Sequence, residues 1–134
     1  MIRLEKTDEI IAVDDAVRYV AIVDSKGNVV ASQLKKNTNN TIEEKDELNL
    51  LDLRITKQML DVYDDSFGRA ISLQARREKI NQLVFYHDYF IIYITCDGKA
   101  DNKKISEISS KIEHLVHEMV SSPQHDLEIK QKSV

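Results

Sequence analysis

The stretch from Arg69 to Cys96, RAISLQARREKINQLVFYHDYFIIYITC, constrains this chain more than any other, because it reads as three strands separated by two short polar breaks. Its last segment, Tyr89 to Cys96, is apolar or aromatic at nearly every position, the pattern of a central strand covered on both faces. The middle segment, Ile80 to Tyr86, lies between the breaks Arg77-Glu78-Lys79 and His87-Asp88. In the first segment Ile71, Leu73 and Ala75 alternate with Ser72, Gln74 and Arg76, the period of a strand with one dry and one wet face. A sheet covered on both faces needs helices from elsewhere in the chain.

The flanking sequence supplies them. Leu4, Ile10, Ile11 and Val13 among acids predict a short amphipathic helix within residues 2–16. The runs Arg18 to Val23 and Val29 to Gln33 enclose Asp24-Ser25-Lys26-Gly27-Asn28 and predict a hairpin, since Asp, Gly and Asn supply local hydrogen bonds and tolerate positive φ. Residues 34–40, with two lysines and three asparagines, read as a loop. Thr41-Ile42-Glu43-Glu44 fits a capping box and opens a long helix that runs to Phe67 and closes at Gly68. Leu48, Leu51, Ile55, Met59 and Val62 form one apolar stripe along it. Leu53, Leu60, Tyr63 and Phe67 form a second arc, about 100° or more around the wheel, wider than one sheet contact requires and suited to cover by a second subunit. Ile105, Ile108, Ile112, Leu115 and Met119 keep an unbroken helical period in the last helix. After Val120 the composition turns to Ser, Pro, Gln and Lys, so residues 1–120 are expected to form a single domain and 121–134 a disordered tail.

With 134 residues, 42% of them hydrophobic, the chain is expected to bury one core and no second. No apolar run approaches the roughly 20 residues that cross a bilayer. The opening MIRLEKTDEII lacks the order of a secretory signal, so a cytoplasmic protein without a membrane partner is expected. The net charge of −4 argues against a nucleic-acid surface, even though Arg76-Arg77-Glu78-Lys79 lies near Tyr86 and His87. The lone Cys96, ending the most apolar strand, reads as a buried and unreactive thiol. His114 and His117, with Glu113 and Glu118, have a spacing that allows two metal ligands, but no further His or Cys joins them and a solvated helix face is the better reading. The pairs Asp14-Asp15 and Asp64-Asp65 at helix ends read as exposed surface and not as a general acid and base. Tyr89, Phe90 and Tyr93 read as core. No phosphate-binding glycine motif occurs among only three glycines, so no cofactor, no metal and no catalytic residue is expected, and the chain is not read as an enzyme.

The order helix, strand, strand, long helix, strand, strand, strand, helix resembles the roadblock/dynein light chain family, and is similar to small archaeal proteins of that type. The string from Val17 to Ser32, VRYVAIVDSKGNVVAS, resembles the family's first hairpin, and His87 to Ile94, HDYFIIYI, resembles its last strand. The resemblance implies an α/β fold, a five-stranded antiparallel sheet with the long middle helix on one face and the terminal helices on the other. It implies a homodimer or heterodimer that pairs the middle helices and joins the strand after them to its twin. Here that interface would comprise Leu53, Leu60, Tyr63, Phe67, Arg69, Ile71, Leu73 and Ala75. It further implies an interaction platform for a small Ras-like GTPase or a larger assembly. Longin- and profilin-like sheets share the two-faced architecture, and with them comes the alternative of a small-ligand sensor. Arg69, Arg76 and Arg77 crowd the joining edge: opposite acids of a partner they favour pairing, and without such acids they oppose it.

Overall fold

The computed structural model describes residues 4–35, 53 and 55–121. Helix α1 spans Leu4–Ile11, strand β1 Val17–Asp24 and strand β2 Val29–Leu34. Residue 53 and residues 55–61 are helical and are designated α2, followed by the short helix α3, Asp64–Phe67. Strands β3 (Ser72–Arg76), β4 (Ile80–Tyr86) and β5 (Phe90–Asp97) lead into helix α4 (Asn102–Ser121). The strands form one antiparallel sheet in the order β2-β1-β5-β4-β3.

The apolar run is the central strand. Every residue of β5 from Phe90 to Cys96 is buried, because alternate side chains enter two different layers. Phe90, Ile92, Ile94 and Cys96 meet Ile10 and Ile11 of α1 and Ile105, Ile108 and Ile112 of α4. Ile91 and Tyr93 point the other way, into a cluster with Tyr19, Ala21, Val23, Val84 and Leu53. The terminal helices therefore share one face of the sheet, and the middle helix covers the other.

Local chemistry closes the turns. The Asp24 carboxylate accepts the N–H groups of Lys26 and Asn28, each at 2.9 Å, and Gly27 takes the positive φ of 90° that the turn needs. Gly98 follows β5 where the chain passes so close to the β3–β4 turn that a Cβ would lie 2.7 Å from the carbonyl of Lys79.

Three expectations are corrected. The middle helix is not continuous to Phe67: residues 62–63 form a turn, and α3 restarts beyond it. Val62 and Tyr63 are weak helix formers, whereas Asp64 and Asp65 favour a first turn, where they now sit. Gly68 does close the segment, with φ 80° and its N–H donating to Asp64 O at 2.8 Å. Strand β3 alternates as expected but has no dry face, since all five of its residues are exposed. Helix α4 runs one residue into the expected tail, to Ser121. The rest of that tail, the capping box at Thr41, and Leu48 and Leu51 lie outside the described residues.

Candidate interaction surface

In α2 the described residues of the first stripe are exposed and the first two residues of the second arc are turned inward, the reverse of expectation. Leu53 is only 6% exposed and belongs to the chain's own core, and Leu60, two turns on and on the same face, is half-buried. The Lys57 ammonium lies 5.8 Å from the Tyr86 ring, which confirms the face turned to the sheet. Ile55, Met59 and Val62, the stripe expected to touch the sheet, are exposed at 56%, 66% and 75%. Periodicity alone could not separate them, since both arcs are apolar and a wheel carries no absolute phase.

Further apolar side chains are exposed past α2. Tyr63 and Phe67 stack at 5.8 Å and stand exposed, as do Ile71 and Leu73 on the lead-in and first half of β3. Of the expected interface residues, Tyr63, Phe67, Arg69, Ile71, Leu73 and Ala75 are exposed or on the exposed edge, Leu60 is half-buried and Leu53 is buried.

Strand β3 is an edge, paired among the described residues with β4 alone. Tyr86 N–H donates to Ile71 O at 3.0 Å and Arg77 N–H donates to Ile80 O at 2.9 Å, so odd-numbered residues direct their backbone groups to β4. The backbone donors and acceptors of Ser72, Gln74 and Arg76 consequently face outward. The arginines at this edge are held by their own chain. Arg69 pairs with Asp88, Arg76 donates to Asn102 Oδ1 at 2.8 Å, and Arg77 Nε donates to the Gln82 amide oxygen. Gln82 in turn donates to the Tyr93 hydroxyl at 2.8 Å, which ties the edge to the core.

Two recesses flank β3 on the α2 face. One, a groove of about 260 Å³, is lined by Leu53, Leu73, Ala75, Val84 and Tyr93 with Arg77 and Gln82 at its polar side. The other, of about 480 Å³, lies between the helices and the start of β3, and is lined by Lys57, Asp61, Asp64, Arg69, Ile71, Tyr86 and Asp88. Its charges are mostly matched, Lys57 with Asp61 and Arg69 with Asp88. Asp64 Oδ1 and the Tyr86 hydroxyl are shielded from solvent and have no hydrogen-bond partner among the described residues. Burial, with Asp61 nearby, pushes the Tyr86 hydroxyl above its usual range, which keeps it neutral.

The titratable groups read from the sequence fall elsewhere. Cys96 is fully buried, and burial pushes its thiol up to about 12, the opposite of an activated nucleophile. His114 is exposed on α4 and lies 3.2 Å from Glu118, and no group of three or more His, Cys, Asp or Glu able to hold a metal occurs among the described residues. Asp14 departs from the expected exposed pair. Its carboxylate accepts the Ala16 N–H at 2.9 Å and the Lys104 ammonium at 3.1 Å, while its carbonyl accepts Lys35 Nζ at 2.8 Å. It is a clamp joining the α1–β1 connection to β2 and α4. Tyr89, expected in the core with Phe90 and Tyr93, is 45% exposed because it lies in the turn before β5. No described helix is long and apolar enough to cross a membrane.

A five-stranded antiparallel sheet in the order β2-β1-β5-β4-β3, with terminal helices on one face and the middle helix on the other, defines the roadblock-like class of α/β domains, and this chain has that fold. Among solved structures it is similar to the gliding protein MglB of Thermus thermophilus, with a TM-score of 0.62 and 16% identity over 83% of this chain and 82% of that one. The MglB of Myxococcus xanthus superposes with a TM-score of 0.63 at 10% identity, covering 87% of this chain and 92% of that one. A roadblock/LC7 domain from Streptomyces avermitilis gives 0.58 at 9% identity, over 87% and 99%. At these identities the likeness is one of fold. No family model and no curated protein matches the sequence.

Proposed function

We propose that this chain is a non-enzymatic interaction platform that works as a homodimer, and that the dimer scaffolds or regulates a small Ras-like GTPase or a larger assembly. One observation carries the reading. Nine large hydrophobic residues are exposed among those described, and seven of them, Ile55, Met59, Val62, Tyr63, Phe67, Ile71 and Leu73, belong to the α2–α3–β3 surface. So many exposed apolar side chains beside a strand edge unpaired among the described residues are costly to leave in water, and a second copy offering the same surface covers them symmetrically. The exposed stripe is the one at Ile55, Met59 and Val62, so the proposed helix contact centres there in place of Leu53 and Leu60. The roadblock-like fold supports the partner class by resemblance.

Light scattering on the purified protein tests the dimer directly, with a mass near two chains expected. Phe67→Asp is expected to yield a folded monomer, since Phe67 is 81% exposed and contributes little to its own subunit's core. A wild-type monomer at all concentrations would sink the reading. The partner is tested by capture from native lysate, where a GTPase retained by the wild type and lost with Phe67→Asp is the expected result. A second reading, a small-ligand sensor, rests on the groove beneath α2. It predicts a monomer whose melting temperature rises with one metabolite from a screen.

A further inference from the structure

We infer that the twin strands meet in one register, centred on Gln74, and that Arg77 of each copy enters the Asp64–Tyr86 recess of the other. The inference rests on the homodimer reading above and adds its register and its specific charge contact.

The outward backbone groups of β3 belong to even-numbered residues, so a symmetric antiparallel pair can bond only even residues to even residues. Three centres satisfy this and pair more than one even residue of the strand: residues 73, 74 and 75. Centring on Gln74 pairs the whole of Ser72–Arg76, with Ser72 opposite Arg76 and Leu73 opposite Ala75. Centring on Leu73 sets Arg77 opposite Arg69, a like-charge pair that opposes association. Centring on Ala75 sets Arg77 opposite Leu73, in mid-strand, where the groove is lined by no acid among the described residues.

The Gln74 register alone sets Arg77 opposite Ile71. Ile71 lines the recess that holds Asp64 Oδ1 and the Tyr86 hydroxyl, both shielded and without partners among the described residues. Arg77 lines the α2-side groove with Leu73 and Ala75, and Ile71, just before β3 at the sheet edge, lines both the α2-side recess and one bounded by Glu113, Val116 and His117 of α4. In its own chain Arg77 gives Nε to Gln82 and keeps further N–H donors. Lys57 and Arg69 already have acidic partners, which leaves Asp64 as the charge that the recess does not match among the described residues. A guanidinium brings the two orphaned atoms their donor and balances that charge. The arginine at the pairing edge thereby becomes a determinant of self-recognition.

The test is charge reversal measured as dimer dissociation by sedimentation. Arg77→Glu and Asp64→Arg are each expected to raise the dissociation constant at least about tenfold, and the double variant to return within a few-fold of wild type. Rescue is the readout that a merely structural role of either residue would not produce. Single reversals without effect on an intact wild-type dimer would overturn the contact and leave the platform reading standing, whereas a wild-type monomer overturns both. The register is tested separately with the full chain. Gln74→Cys is expected to cross-link to its own copy on mild oxidation. Preferential self-coupling of Leu73→Cys or Ala75→Cys would overturn the register.

Discussion

Asp14 shows how much one carboxylate can organise. The Ala16 N–H bond, with Lys104 and Lys111 nearby, holds its carboxyl below the usual carboxylate range against the opposing effect of burial. A group whose pKa is lower in the folded than in the unfolded chain adds stability above the unfolded value, and that stability is lost as pH falls through the folded one. Asp14→Asn is therefore expected to lower the unfolding free energy at pH 7 by about 1 kcal/mol. The difference from wild type should be constant down to about pH 5 and close at still lower pH, as read from urea titrations across that range. Gly98 is constrained by space and not by φ. A methyl group there would meet the backbone of Lys79 at 2.7 Å, so Gly98→Ala should destabilise by about 1–3 kcal/mol, visible as a lower urea midpoint with an unchanged slope. Neither role can be seen in the sequence. Lys35 and Lys104 are 21 and 90 positions from Asp14, and Gly98 looks like any loop glycine until Lys79 is placed beside it.

At the scale of elements, legibility follows the strength of the pattern. Strand β4 is legible at Ile80 to Tyr86, and β5 within one residue of Phe90–Asp97, because a run buried on both faces has few alternatives. Helix α4 is legible because Ile105, Ile108 and Ile112 form the only apolar stripe on its early turns. The middle helix misleads where two apolar arcs compete. Leu53 and Ile55 are equally hydrophobic, and only the sheet decides which one is buried. The exchange makes a contrasting prediction. Leu53→Ala removes a buried side chain and should cost about 2–4 kcal/mol of subunit stability. Met59→Asp should leave subunit stability nearly unchanged while dissociating the dimer, as compared by chemical unfolding and light scattering on the same samples. If Leu53→Ala alone dissociates folded subunits, the assignment of faces is wrong.

For the whole molecule, the sheet has a well-covered half and a bare one. Strands β1 and β5 lie between two helical layers, whereas β3 is exposed at every residue and, among the described residues, pairs its backbone with β4 alone. An isolated subunit should therefore open first at β3, where few apolar contacts oppose exchange of backbone amides. Pairing with a twin changes this, because the outward groups of Ser72, Gln74 and Arg76 gain partners and the apolar surface from Ile55 to Leu73 becomes interior. Folding and association are then linked, and the native state is stabilised by mass action. The melting temperature should rise steadily as protein concentration is raised over two orders of magnitude, and amide exchange at Ser72, Gln74 and Arg76 should slow over the same range. Met59→Asp should show neither trend, melting at one temperature throughout with fast exchange along β3. A wild-type melting temperature independent of concentration, together with β3 amides that exchange as fast as those of the variant, would show that the bare half of the sheet stays bare in solution.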